Sequence, residues 1–144
     1  MFSKACEYAI RASIFIATKS SQGIRVGIKD VAKEIDSPEP FTAKIMQILT
    51  KNGIIDSAKG VGGGFEVSNV AIKSIKLIQI VDAVDGDSIY MGCGIGLKEC
   101  SESHPCPVHN EFKVIRGLLL DMLTNTTLEE LALGVKSGEF FLKR

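Results

Sequence analysis

A mainly α fold with one small β-hairpin is what the sequence predicts, on three observations. Apolar residues recur at steps of three and four through several separate stretches. Asp36-Ser37-Pro38 and Asn52-Gly53 cut the early stretches into short helices. A glycine-rich run at 59–64 sits between two short apolar pieces, as a tight hairpin requires. The chain has 144 residues, 45% of them hydrophobic and 24% charged, which suits about one domain's worth of core and excludes disordered and fibrous classes.

The first helix is expected over residues 3–18, where Cys6, Ala9, Ile10, Ser13 and Ala17 form a small-residue apolar stripe. Gly23 and Gly27 bracket an extended piece at 24–26. A second helix at 29–35 buries Val31, Ala32 and Ile35. The third, at 40–51, sets Phe41, Ile45, Ile48 and Leu49 on one arc and Lys44, Gln47, Thr50 and Lys51 on the other. Gly53 then offers a left-handed cap. Ile54-Ile55 is expected to open a strand, Lys59-Gly60-Val61-Gly62-Gly63-Gly64 to turn, and 65–67 to return. Helix, tight turn, helix and glycine-tipped hairpin inside the first 70 residues is the order of a winged helix-turn-helix.

Past Val67 a helix is expected at 77–84, Asp85-Gly86-Asp87 makes a turn, and 88–107 forms a loop holding three of the four cysteines. A long helix at 108–125 follows. Along it Val108, Phe112, Ile115, Leu119 and Met122 step by four, three, four and three, the pattern of a dimerisation helix packing on a partner. Thr127 caps a last short helix with Glu130 at its third position, and the tail from Gly134 is expected to be loose. The expected division is a winged helix-turn-helix DNA-binding domain at 1–70 and a cysteine-loop and dimerisation region at 71–144.

Seventeen basic and seventeen acidic residues leave no net charge, so composition alone names no nucleic-acid partner. The halves differ slightly: residues 1–66 hold nine basic and seven acidic groups, and 67–144 hold eight and ten. No apolar run reaches the ~18–20 residues of a membrane span, and the stretch at 12–17 lacks the order of a signal peptide. A cytoplasmic location with no membrane partner is expected.

The third helix is the candidate DNA reader, with Thr42, Lys44, Gln47 and Lys51 as contacts, joined by Lys4 on the first helix. Taken alone, an amphipathic helix with two lysines is more often a solvated surface helix; the hairpin behind it favours the reader. The glycine run is not a nucleotide cradle, because a strand-like Phe65-Glu66-Val67 follows it and no Lys-Ser/Thr is present. Its glycines instead permit a tight turn, with Gly62 and Gly63 letting backbone approach a phosphate and Lys59 reaching the DNA backbone or a narrow groove.

Cys93, Cys100 and Cys106 lie within fourteen residues of a loop that also carries Gly92, Gly94 and Gly96. Clustered thiols in a reducing compartment favour an iron–sulfur cluster, zinc or copper(I), or a peroxide-sensing dithiol, over a structural disulfide. The gaps of six and five residues are wider than the Cys-x2–4-Cys knuckles of structural zinc sites, and suit a metal–sulfide core better. His109, one helical turn past Cys106, is either a fourth ligand or an ordinary helix-start histidine. His104 reads as a solvated loop residue and Cys6 as core.

These residues together resemble the IscR/NsrR-type regulators, the Rrf-two family of winged-helix transcription factors. The resemblance runs through Ser3-Lys4, Tyr8-Ala9-Ile10-Arg11-Ala12, Leu49-Thr50-Lys51-Asn52-Gly53-Ile54-Ile55 and the glycine wing. It continues through Ile80-Val81-Asp82-Ala83-Val84-Asp85-Gly86, the cysteine loop and Thr127-Leu128-Glu129-Glu130-Leu131. It implies a homodimer on a palindromic operator of double-stranded DNA, with an iron–sulfur cluster, 2Fe–2S preferred over 4Fe–4S, on Cys93, Cys100 and Cys106. The implied fourth ligand is His109, as in the cluster-assembly regulators, or Glu7 of the other subunit, as in the nitric-oxide sensors. The chain carries Ala43, Lys59 and Val61 where the cluster-assembly subgroup has glutamate, arginine and proline.

The function expected is therefore that of a transcriptional regulator whose operator binding is switched by a cluster sensing iron–sulfur status, redox state or nitric oxide. A cluster-free thiol-redox regulator of the same fold is the alternative. A zinc or thiol enzyme would need an open metal position or a Cys-x-x-Cys pair with a base, and the spacings supply neither.

Overall fold

The computed structural model describes residues 1–143; Arg144, the end of the second expected region, lies outside them. The chain opens with α1 (Lys4–Ser20). Ser3 caps it, its Oγ accepting from the Cys6 amide at 3.1 Å, while the Ser3 amide donates to Asp85 at 2.9 Å. Cys6, Ala9, Ala12, Ser13 and Ala17 on this helix are wholly buried. Their small size lets other helices approach the α1 backbone closely.

Two helices follow in the order the sequence predicts. α2 (Ile28–Ile35) starts where the Gly27 amide donates to Asp30, and ends at Asp36, whose φ of 55° is left-handed. α3 (Glu39–Lys51) has proline in its first turn, where no amide is missed. The Arg11 guanidinium of α1 donates to the Ile35 carbonyl at 2.6 Å, fixing the end of α2.

Ile54 and Ile55 do not open a strand. The Gly53 amide bonds the Thr50 carbonyl and the Ile54 amide the Leu49 carbonyl, each about one helical turn back, at 3.1 and 3.0 Å. This is a Schellman closure with Gly53 at φ 70°, and it folds the apolar pair into the core. The hairpin consists of β1 (Asp56–Ala58) and β2 (Gly64–Glu66), antiparallel with Ser57 opposite Phe65. Val26 bridges Phe65 from the far side.

A single turn, α4 (Ala71–Ser74), leads to α5 (Leu77–Val84), whose Ile80 and Val81 are wholly buried. The expected loop from 88 begins with another turn, α6 (Ser88–Met91), before the cysteine segment. α7 (His109–Asn125) and α8 (Leu128–Lys136) complete the chain. Thr127 and Glu130 form the expected reciprocal cap, at 3.1 and 2.9 Å. α5 and α8 both pack on α1, and one core cluster includes residues on either side of Val70.

Two expectations change in the second half. The tail is not loose: the Glu139 and Phe140 amides bond the Gly134 carbonyl, the Phe140 ring lies over Gly134, and Lys143 donates to the Lys33 carbonyl of α2. The apolar stripe of α7 is also rotated. Leu119 packs on the core and Phe112 lies against Gly94, so these two face inward. Val114, Ile115, Leu118 and Met122 are the exposed ones, at 64%, 55%, 67% and 45%. The i, i+3, i+4 spacing left both arcs open, and Leu123, wholly buried, selects between them.

Leu123→Ala should cost about 2–5 kcal/mol, because it empties a filled position between α7 and the core. A denaturant midpoint within error of the parent, at unchanged slope, refutes this docking of α7.

Candidate functional site

The exposed face of α3 carries Lys44, Gln47 and Lys51, spaced three and four apart and so aligned as one polar stripe. Thr42 does not join them. Its side chain is 0% exposed and its Oγ1 donates to the Pro38 carbonyl at 3.0 Å, so it locks the first turn of α3 and cannot reach DNA. Phe41 leans edge-on against Tyr8 of α1 with ring centroids 5.8 Å apart. Lys4 lies over the same Tyr8 ring and pairs with Glu7 at 3.1 Å.

The wing tip is a turn closed by the Gly63 amide on the Gly60 carbonyl at 3.0 Å. Gly60 and Gly62 have φ of 87° and 76°, and a Cβ at Gly63 would lie 2.4 Å from the Ala58 carbonyl oxygen. Lys59 and Val61 stand in solvent on either side of Gly60. Arg25, which the sequence reading passed over, reaches this turn. Its guanidinium donates to the Gly62 carbonyl at 3.3 Å and to Glu66 at 2.9 Å. No local pattern marks it, because its partners are 37 and 41 residues away.

The three clustered thiols converge. The Sγ atoms of Cys93, Cys100 and Cys106 all lie within 4.8 Å of one another, and Cys93 and Cys106 are 3.6 Å apart. All three are free. His109 joins them: its Nδ1 is 3.2 Å from the Cys100 Sγ, and its Nε2 is buried with no hydrogen-bond partner among the described residues. A buried orphan nitrogen beside three soft sulfur donors is a set that suits a thiophilic metal or a metal–sulfide core. Glu7 is not among the converging groups within one chain. His104 is exposed and among the described residues bonds Ser101 and Ser103, as a loop residue does.

The loop that carries the thiols is tied to α7. Arg116 donates to the Met91 and Gly92 carbonyls, Lys113 pairs with Glu102, and the His109 amide bonds the Cys106 carbonyl at 3.0 Å. A cleft of about 440 Å³ runs beside Cys93, walled by Ile89, Phe112, Ile115 and Leu119. The backbone amides of Ile95 and Leu97 stabilise the Cys93 thiolate and lower its pKa to about 7. Burial pushes Cys106 the other way. Cys6, inside the core and beside Asp85, is raised to about 12.

A family model described as Rrf2, an iron-dependent transcriptional regulator, matches residues 2–133. An HTH-type transcriptional regulator of Aquifex aeolicus is 30% identical over 133 residues, covering 91% of this chain and 90% of that one. The HTH-type transcriptional regulator IscR of Pectobacterium atrosepticum is 27% identical over 124 residues, covering 86% and 74%. Among solved structures, CymR, the global cysteine regulator of B. subtilis, has a TM-score of 0.75 at 21% identity, over 92% of this chain and 96% of that one. Among the described residues no helix is long and apolar enough to cross a membrane.

The thiol environments make an order of reactivity. In metal-free, reduced protein, Cys93 should be alkylated first, its rate rising through about pH 7, because a lowered pKa exposes thiolate at lower pH. Cys6 should stay unmodified at neutral pH while the fold holds. Peptide mapping after a brief iodoacetamide pulse checks this, and modification of Cys6 before Cys93 contradicts the assignment.

Proposed function

The chain belongs to the Rrf2 family of iron-dependent transcriptional regulators, and from that premise we propose that it binds a palindromic operator as a cytoplasmic homodimer, under control of an iron–sulfur cluster. The observation that carries this reading is the convergence of Cys93, Cys100 and Cys106 within 4.8 Å, with His109 against Cys100. In the proposed division, residues 1–70 read DNA and 71–144 sense and assemble. Lys44, Gln47 and Lys51 contact the major groove, and Lys4, Lys59, Gly62 and Gly63 contact the flanking backbone. The chain acts by binding and catalyses no reaction.

When bound, the cluster supplies a core whose charge and ligation respond to redox state, iron supply and small ligands. The protein's part is mechanical. Cys106 and His109 bracket the start of α7, and Arg116 on α7 grips the start of the loop at Met91 and Gly92. Loop order and the setting of α7 are thus one variable. The exposed strip of Val114, Ile115, Leu118 and Met122 is the face by which two copies pair, so the same variable sets the spacing of the two α3 helices.

A second reading has its own support. Cys93, with the lowered pKa, is only 3.6 Å from Cys106, close enough for oxidation to a disulfide without metal. The two readings part on purification without oxygen. The cluster reading expects a coloured protein with iron and sulfide, lost in Cys100→Ser because a hydroxyl is a poor ligand for a soft metal. His109→Ala should lower iron per chain and shift the spectrum, while Glu7→Ala should not; the reverse result moves the fourth position to Glu7. A colourless protein that on added hydrogen peroxide gains a Cys93–Cys106 disulfide, the two thiols giving two electrons and two protons to reduce the peroxide to water, and then loses DNA favours the thiol switch.

Assembly is checked separately. Leu118→Glu should give monomers in sedimentation and lose operator binding, since a single half-site supplies only part of the affinity. A dimer that binds normally removes this face from assembly.

A further inference from the structure

The wing poses a problem that its own residues do not solve. Three of the five residues at 59–63 are glycine, the residue that loses most freedom on ordering. The strands beneath are three residues each, and an isolated two-stranded hairpin is at best marginal in water.

Two features outside the hairpin supply the order. Val26 and Phe65 exchange both backbone hydrogen bonds, at 3.2 and 2.8 Å, and Gly64 lies so close that a Cβ there would meet the Val26 carbonyl oxygen at 2.7 Å. That pairing sets the neighbouring Arg25 alongside the wing. One nitrogen of its guanidinium donates to Gly62 at the tip, the other to Glu66 at the base. The planar fork therefore ties the tip of the wing to the base of β2. The same hydrogen bond, which favours the carboxylate, lowers the pKa of Glu66.

We propose that Arg25 is a positioning residue for the wing: it clamps the Gly62 carbonyl to the Glu66 carboxylate, so that Lys59 and the backbone of Gly62 and Gly63 are held in their DNA-contacting arrangement before a duplex arrives. An exposed Arg–Glu pair contributes little to folding by itself. Its consequence here lies in where its acceptors are, one in the glycine turn and one at the base of β2. Ordering that turn in advance removes a cost that binding would otherwise meet. The proposal rests on the wing contact in the reading above.

Two measurements test it. In the free protein, trypsin cleavage after Lys59 should rise about three- to ten-fold in Arg25→Ala and in Glu66→Ala, with Lys44 and Lys51 protected as in the parent. Unchanged cleavage in both variants overturns the clamp, whatever the protein binds. On a duplex enriched from a random pool by the parent protein, Arg25→Ala should weaken binding about three- to ten-fold. Arg25→Lys should weaken it nearly as much, because an ammonium keeps the charge but not the fork. Lys59→Ala should weaken binding and lower the salt slope by about one. The double variant Arg25→Ala, Lys59→Ala should lose less than the product of the single losses. Full binding by Arg25→Lys, or strictly multiplicative losses, overturns the positioning role and makes Arg25 a direct phosphate contact. If the parent selects no duplex, the DNA reading fails, and the trypsin result still decides the clamp.

Discussion

Everything else in the molecule depends on how closely α1 can be approached. Its inward positions are Cys6, Ala9, Ala12, Ser13 and Ala17, all wholly buried and none larger than a thiol except Ile14 and Ile16 beside them. A helix with so little side chain on its contact face lets α2, α3, α5 and α8 pack near its backbone. A larger residue at Ala9 or Ala12 would push neighbours apart with no space to relax into. The burial of Cys6 follows from the same requirement, which explains a thiol that has no part in the cysteine site.

Because the helices share that one support, α3 and the helices that flank the cysteine segment are parts of a single packed body. α3 rests on α1, α5 rests on both, and α7 packs on α5 with Leu123 buried in the core. Asp85, at the end of α5, holds the Ser3 cap of α1, so the turn before the cysteine segment is bonded to the first residues of the chain. The cysteine loop itself is different. Its residues are mostly exposed, its apolar Ile95 and Leu97 lie in solvent, and its anchors are Arg116, Lys113 and the turn at His109. Few buried contacts make a segment that can change order without disturbing the core.

Periodic and capping signals were legible in the sequence, and contacts distant along the chain were not. The helices around Val31, Ile45 and Ile80, the Thr127–Glu130 cap and the glycine wing follow from spacing within ten residues, where local rules act. Ile54 and Ile55 look like a strand because two β-branched residues follow a turn; the Schellman closure at Gly53 turns them inward instead. Thr42 looks like a reader because it is polar at a helix start, yet its hydroxyl is consumed by the Pro38 carbonyl. For the tail, the glycine at 138 reads equally as a loose end or as a helix stop that folds Phe140 back, and only the packing on Gly134 distinguishes them. The three thiols were legible from clustering, and His109 only as one of two readings of its place one helical turn past Cys106; Arg25 was not legible, because nothing near it in the chain names Gly62 or Glu66.

The absence of net charge shapes how such a protein can hold DNA. Long-range steering by overall charge is not available, so attraction must be local. Lys44 and Lys51 project from α3 and Lys59 from the wing, none of them in an ion pair among the described residues. Of the nearby acids, Glu66 is engaged by Arg25 and Glu7 by Lys4, while Glu39 on α3 and Asp56 on β1 are exposed and in no ion pair among the described residues. Asp82, Asp85 and Asp87 lie at and just beyond the end of α5, beyond the wing in the chain. Three or so free cations on one copy give weak, salt-sensitive binding. In the proposed dimer two such surfaces must meet a duplex together, and affinity then depends steeply on their spacing. A modest rearrangement at α7 can therefore gate binding without any change in the contacts themselves.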